Sequence, residues 1–233
     1  MTADTKSVRN EEDLHVIRLI RPSVVLLCGP AACGKSTFVA QHFRPTQIVS
    51  SDHARALVCD DDRDQRYQTQ AFALLHFLIE QRLSINRLCV VDSTALTAPA
   101  RKSLLEIARR YQVPAVVLLF DVSLETCLER DAQRERTVGR AIIERQYEQF
   151  GEAKTTLQQE GFDQVIELRD AELGKVRFEV VFRPVPRPTQ NHARPEARRF
   201  APRPARPASV PAPEPRDTRK PSLPNGHPPD PSA

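Results

Sequence analysis

The stretch Gly29-Pro30-Ala31-Ala32-Cys33-Gly34-Lys35-Ser36-Thr37 decides how this chain folds. It follows the apolar run Val24-Val25-Leu26-Leu27 and matches G-x-x-x-x-G-K-[ST], a phosphate-binding loop set between a strand and a helix. Gly29 and Gly34 admit backbone torsions that a Cβ would obstruct. The amides between them then turn inward around anionic oxygens, at the positive end of the helix that starts near Lys35. Lys35 is placed to reach the β- and γ-phosphates of a nucleoside triphosphate. Ser36 offers its hydroxyl to Mg²⁺, which keeps most of its waters and takes few protein ligands. Cys33 reads as a small residue that fits the loop.

Working outward, short apolar runs alternate with helical patterns. Residues 23–28, 46–50, 88–91, 115–120 and 164–168 read as strands, without the polar alternation of a half-exposed sheet. Between them, Ala71, Leu74, Leu75, Leu78 and Ile79 share one helical face, and Leu104, Ile107, Ala108 and Tyr111 another. Thr97 ahead of Ala98-Pro99 has the form of a helix N-cap with proline in the first turn. Strand–helix alternation implies an α/β, doubly wound, mainly parallel sheet with its ligand at the carboxyl ends of the strands. An edge strand is expected near residues 14–19. Residues 176–182 read either as a last strand or as linker.

Three further constellations fall on the same rim. Ser50-Ser51-Asp52-His53-Ala54-Arg55 ends the second expected strand. Asp52 there can accept a proton from an attacking hydroxyl, and Arg55 can hold an anionic group on the acceptor. The plainer alternative is that Asp52 caps the next helix. Val90-Val91-Asp92 ends the third strand and puts a carboxylate where one holds magnesium through water or orients an acceptor; N-capping is again the rival. Arg130 and Arg134 stand four apart, the spacing at which a helix projects both from one face. Two such arginines on a mobile segment would close over a triphosphate. Asp60-Asp61-Asp62, with Asp64, lacks the spacing and glycine of a calcium loop and reads as a solvated acidic loop.

The composition is uneven. Fifteen of the 20 prolines lie at or after Pro184. From Arg183 onward the net charge is about +6, against +4 for the chain, so the first 182 residues carry about −2. A basic segment so poor in apolar side chains is expected to be disordered, with polyproline II character. It suits nucleic-acid contacts or a proline-reading partner domain, or serves as a solubilising linker. The five cysteines are odd in number and lack C-x-x-C spacing, as expected of reduced thiols in a cytoplasmic protein. No secretory leader or membrane-length apolar run is apparent.

Taken together these motifs resemble the 5′-hydroxyl polynucleotide kinase family, in particular the kinase domain of bacterial polynucleotide kinase–phosphatases, within the AAA-type ATP-binding P-loop kinases. The likeness runs from about residue 23 to 168. GPAACGKSTF, SSDHARALVCDDDRDQ, QAFALLHFLIEQRL, VVDSTALTAPARKSLLEIARRYQVPAV and CLERDAQR carry it. It implies a five-stranded sheet of order 2-3-1-4-5 with a helical lid, ATP and Mg²⁺ as cofactors, and a 5′-OH end of DNA or RNA as substrate, in nucleic-acid repair. By position it implies Lys35 and Ser36 at the triphosphate and metal, Asp52 as general base, Arg55 at the acceptor's phosphate, and Arg130 and Arg134 as lid arginines. The family commonly reads Asp-x-Thr-Asn after the third strand, and Ala95 stands at the usual Asn. There is no D-x-D-x-T motif, so phosphatase activity is not implied. The expected organisation is an N-terminal extension over 1–20, a kinase domain over 21–182 and a basic proline-rich tail over 183–233. Two other readings share these residues: a P-loop kinase of sugar, nucleoside or antibiotic hydroxyls, and an ATP-binding adaptor whose tail recruits partners.

Overall fold

A computed structural model describes residues 15–183; the proline-rich tail and its expected disorder lie outside the described residues. The apolar runs form a five-stranded, wholly parallel sheet. In chain order its strands are β2 (Val24–Cys28), β3 (Ile48–Ser50), β4 (Cys89–Asp92), β5 (Ala115–Asp121) and β6 (Gln164–Arg169). Spatially they run β3-β4-β2-β5-β6, the expected 2-3-1-4-5 order once the N-terminal strand is set aside. β3 is shorter than expected, because Pro45–Gln47 forms a 3₁₀ turn ahead of it.

Both faces of β2 are buried, which is why its sequence does not alternate. Val24, Leu26 and Cys28 enter one cluster, with α3 (Gln68–Ser84), α4 (Ala98–Arg110) and the C-terminal half of α6 (Arg140–Thr156). Val25 and Leu27 enter the other, with α1 (Lys35–His42), Cys127 of α5 (Leu124–Ala132) and Ile143 of α6. In α3 the buried face is Ala71, Leu75, Ile79 and Leu83; Leu78, placed there from the sequence, is exposed. Thr97 is the N-cap position of α4 with proline in the first turn, although its side chain makes no capping bond.

The edge-strand expectation needs correction. β1 (His15–Arg21) is a strand, but it pairs with β7 (Val176–Phe182) in a separate two-stranded parallel sheet, from His15 opposite Val176 to Arg21 opposite Phe182. Ile17, Leu19 and Val176 are buried in the cluster that holds Phe38 and Phe120, and Phe178 meets Phe38 edge to face with ring centroids 5.9 Å apart. Residues 15–20 therefore pack with the body of the domain, and β1 crosses the expected boundary at residue 20. Among the described residues no helix is long and apolar enough to cross a membrane.

Candidate active site

The loop from Gly29 to Gly34 joins β2 to α1 at the carboxyl edge of the sheet. A Cβ on Gly29 would stand 2.9 Å from Cys33 Sγ and 3.1 Å from Phe120 Cβ, so the backbone passes where only glycine fits. Gly34, with φ +97°, turns the chain into α1 without any side-chain cap, leaving the first-turn amides of α1 for an anion. The amide of Gly29 donates to Thr94 O at 3.1 Å, which ties the loop to the segment after β4. Lys35 is buried and its Nζ donates to the carbonyls of Gly29 at 2.9 Å and Pro30 at 2.6 Å. Cys33 is wholly buried, as a small fitting residue would be.

Asp92 closes β4 and pairs in register with Ser50 of β3. Burial pushes its carboxyl up; a hydrogen bond from Ser36 and the Lys35 ammonium pull it back, and the charge of Asp52 adds to the rise. Asp92 thus feels the Ser36 hydroxyl, the Lys35 ammonium and the charge of Asp52. The Ser36 hydroxyl and the Asp92 carboxylate are hard oxygen donors of the kind magnesium takes while keeping its waters, so the residues fit that ion. Among the described residues no group of three or more His, Cys, Asp or Glu forms a dedicated metal cage.

Asp52 is the second residue of α2 (Ser51–Cys59). The capping alternative fails here, because Ser50 takes that part and its side chain accepts from the His53 amide at 3.3 Å. Asp52 is left 70% exposed, held at 2.8 Å by Arg55. Arg55, expected at the acceptor, is instead buried: its side chain is 4% exposed, and it donates to Asp52, to the carbonyl of Asp62 and to Gln68 Oε1. It orients Asp52 and secures the acidic turn after α2, and it presents no open face to an incoming phosphate.

Arg130 and Arg134 both border a cleft of about 380 Å³ lined also by Thr37, Gln41, Leu173 and Gly174. They do not share a helix. α5 ends at Ala132, and the Arg134 amide closes a turn onto Asp131 O. Buried Asp131 accepts from the amides of Val138 and Gly139, which folds the next segment back and ends the helix early. Arg130 bonds Asp170 at 2.6 Å and stands 3.5 Å from Cys33 O. Arg136 reaches Asp62 at 3.5 Å, bridging this segment to the turn after α2.

The sequence did not single out Arg101, Asp131 or Gln146. Arg101 of α4 is 1% exposed and donates to the carbonyls of Ala95 and Leu96 and to Glu160. Ala95 is itself buried with φ +46°, and its carbonyl also accepts from Cys28 Sγ. Burial raises the Cys28 thiol to about 12 and Cys127 to about 11, so both stay protonated at neutral pH.

A parallel sheet of this order, with a glycine-bounded loop entering α1 and Asp92 closing the neighbouring strand β4, defines the P-loop kinase fold. A family model described as an AAA domain matches residues 24–159, more than half of the chain, and the chain belongs to that family. Among solved structures, it is similar to a chain of the Pnkp1/Rnl/Hen1 RNA repair complex, with TM-score 0.52 and 18% identity over 59% of this chain and 47% of that one. This chain thus spans about half the length of that neighbour. Kti12 of Chaetomium thermophilum, solved with ADP-AlF3, is similar at TM-score 0.49 and 15% identity, covering 65% of this chain and 93% of that one. Shikimate kinase from Acinetobacter baumannii is similar at TM-score 0.42 and 13% identity, covering 65% and 86%. At these identities the likeness is one of fold.

Proposed function

We propose that this protein is an ATP-dependent kinase that transfers the γ-phosphoryl group to the 5′-OH end of DNA or RNA, in nucleic-acid repair. The observation that carries the reading is Asp52: an exposed carboxylate at the strand-end rim, not spent on capping, held by Arg55 and near enough to Asp92 for its charge to act there. The acceptor oxygen attacks the γ-phosphorus and the bond to the β–γ bridging oxygen breaks. ADP departs and the hydroxyl proton passes to Asp52. Lys35, Arg130 and Arg134 neutralise charge on the transferring group. Magnesium, held by Ser36 and through water by Asp92, would supply further neutralisation there when bound. Similarity to a chain of an RNA repair complex supports a polynucleotide acceptor.

One observation favours the second reading, a small-molecule P-loop kinase acting on a sugar, nucleoside or antibiotic hydroxyl. Arg55 is committed inside the fold and Ala95 replaces the usual Asn, so the acceptor side is less anion-directed than the family pattern. Incubation with γ-labelled ATP and 5′-OH oligonucleotides, beside a panel of small alcohols, separates the two. Label on the oligonucleotide supports the first reading, and label only on a small alcohol replaces it with the second.

A further inference from the structure

The inward face of α6 runs Ile143, Gln146, Phe150 and Ala153. Three of these are apolar and buried; Gln146 is the polar exception, part-buried on that stripe. An apolar residue there would extend the packing, so the glutamine needs a reason. Its Oε1 accepts from the Ala31 amide at 2.7 Å, across 115 positions of sequence. Because that partner is an N–H donor, the orientation of the side-chain amide is fixed by chemistry.

The bond acquires meaning from the other side of the same peptide. Ala31 N belongs to the unit whose carbonyl is Pro30 O, and Pro30 O is the acceptor of Lys35 Nζ at 2.6 Å. A peptide unit is planar, so fixing its N–H fixes its C=O. Gln146 thus grips one side of the Pro30–Ala31 plane while the lysine ammonium rests on the other. Gly29 O, 2.9 Å from the same ammonium, completes the seat.

We propose that Gln146 is a positioning residue for Lys35: through the Pro30–Ala31 peptide it sets where the ammonium stands against the terminal phosphates. The proposal rests on the nucleotide-binding part of the function above, not on the acceptor. α6 follows the segment that carries Arg134 and Arg136, so the same bond links that segment's helix to the phosphate loop. Withdrawing the glutamine lets the plane rotate and the ammonium drift by a fraction of an ångström, enough to weaken both binding and transfer.

The test is a double-mutant cycle on ATP affinity, read by displacement of a fluorescent ADP from the full chain. Gln146→Leu keeps the volume and removes the acceptor. In the otherwise natural chain it should weaken ATP roughly 3- to 10-fold, the worth of one hydrogen bond. In a Lys35→Met background, where there is no ammonium to position, it should change affinity less than about twofold. Equal loss in both backgrounds, or none in either, overturns the proposal. Gln146→Asn, one methylene short of Ala31, should act in the same direction and covers the case of a leucine variant that does not fold. In either variant the Ala31 amide should exchange with solvent faster than in the natural protein. Unchanged exchange would show that Gln146 does not hold that peptide. Since no acceptor enters these measurements, a natural protein that binds ATP yet labels no oligonucleotide overturns the proposed function and leaves this inference standing.

Discussion

At the scale of single residues the site depends on charges held slightly out of their comfort. Asp92 is the clearest: burial raises its carboxyl above the ordinary value, against the pull of Ser36 and Lys35. The fold therefore favours its protonated form. Stability from this group is full below the ordinary carboxylate value and is lost as pH rises through its raised one. Asp92→Asn should consequently raise Tm at pH 7, by about 2–4 °C for each kcal/mol of relieved strain. The gain should vanish near pH 3, and magnesium-dependent turnover should fall. Thermal melts at the two pH values check this, and a lower Tm at pH 7 would contradict it. Asp52 behaves differently. It is exposed, and in Asp52→Asn the amide oxygen can still accept from Arg55 although the counter-charge to that buried guanidinium is lost; the variant should lower Tm slightly, leave ATP affinity unchanged and cut phosphoryl transfer by roughly 10²–10⁴-fold.

At the scale of elements, two anchors hold the loops in place. Ser50 caps α2, and Ser50→Ala should cost about 1 kcal/mol of stability in urea unfolding. Arg101 ties the turn after β4 to Glu160, whose carboxyl it holds below the usual range. Arg101→Ala strands that carboxylate and two carbonyls, and should cost about 3–5 kcal/mol. A loss under 1 kcal/mol would show that the turn holds itself. These elements also mark what the sequence disclosed. Unbroken apolar runs give β2, β4 and β5 away, since only a sheet covered on both sides leaves its central strands without polar alternation; the edge strands β3 and β6 are shorter or carry polar residues. The loop from Gly29 to Thr37 and the carboxylates at 52 and 92 are legible because their spacing from strand ends is local. Arg101 was hidden because an arginine on an amphipathic helix reads as solvated. Gln146 was hidden because a lone polar residue in an apolar stripe reads as an interruption. The end of α5 before Arg134 depends on Asp131 turning inward to Val138 and Gly139, a contact with no pattern of its own. The pairing of β1 with β7 joins residues some 160 positions apart, which no local signal reports.

At the scale of the whole molecule, charge and site lie in different parts of the chain. The first 182 residues are slightly acidic, and the excess of lysine and arginine falls after them. If the tail contributes nucleic-acid contacts, deleting residues 184–233 should weaken oligonucleotide binding and flatten its dependence on log salt, with ATP affinity unchanged. An unaltered salt slope would assign the tail to a protein partner or to solubility. The most direct measurement joins the scales: transfer of γ-label from ATP to a 5′-OH oligonucleotide, by the natural protein and by Asp52→Asn, with ATP binding recorded for both. Labelled oligonucleotide from the first, a loss of at least about 10²-fold from the second, and equal ATP affinity are expected. Undiminished transfer by Asp52→Asn, or ATP binding with no label on any 5′ end, would contradict the account.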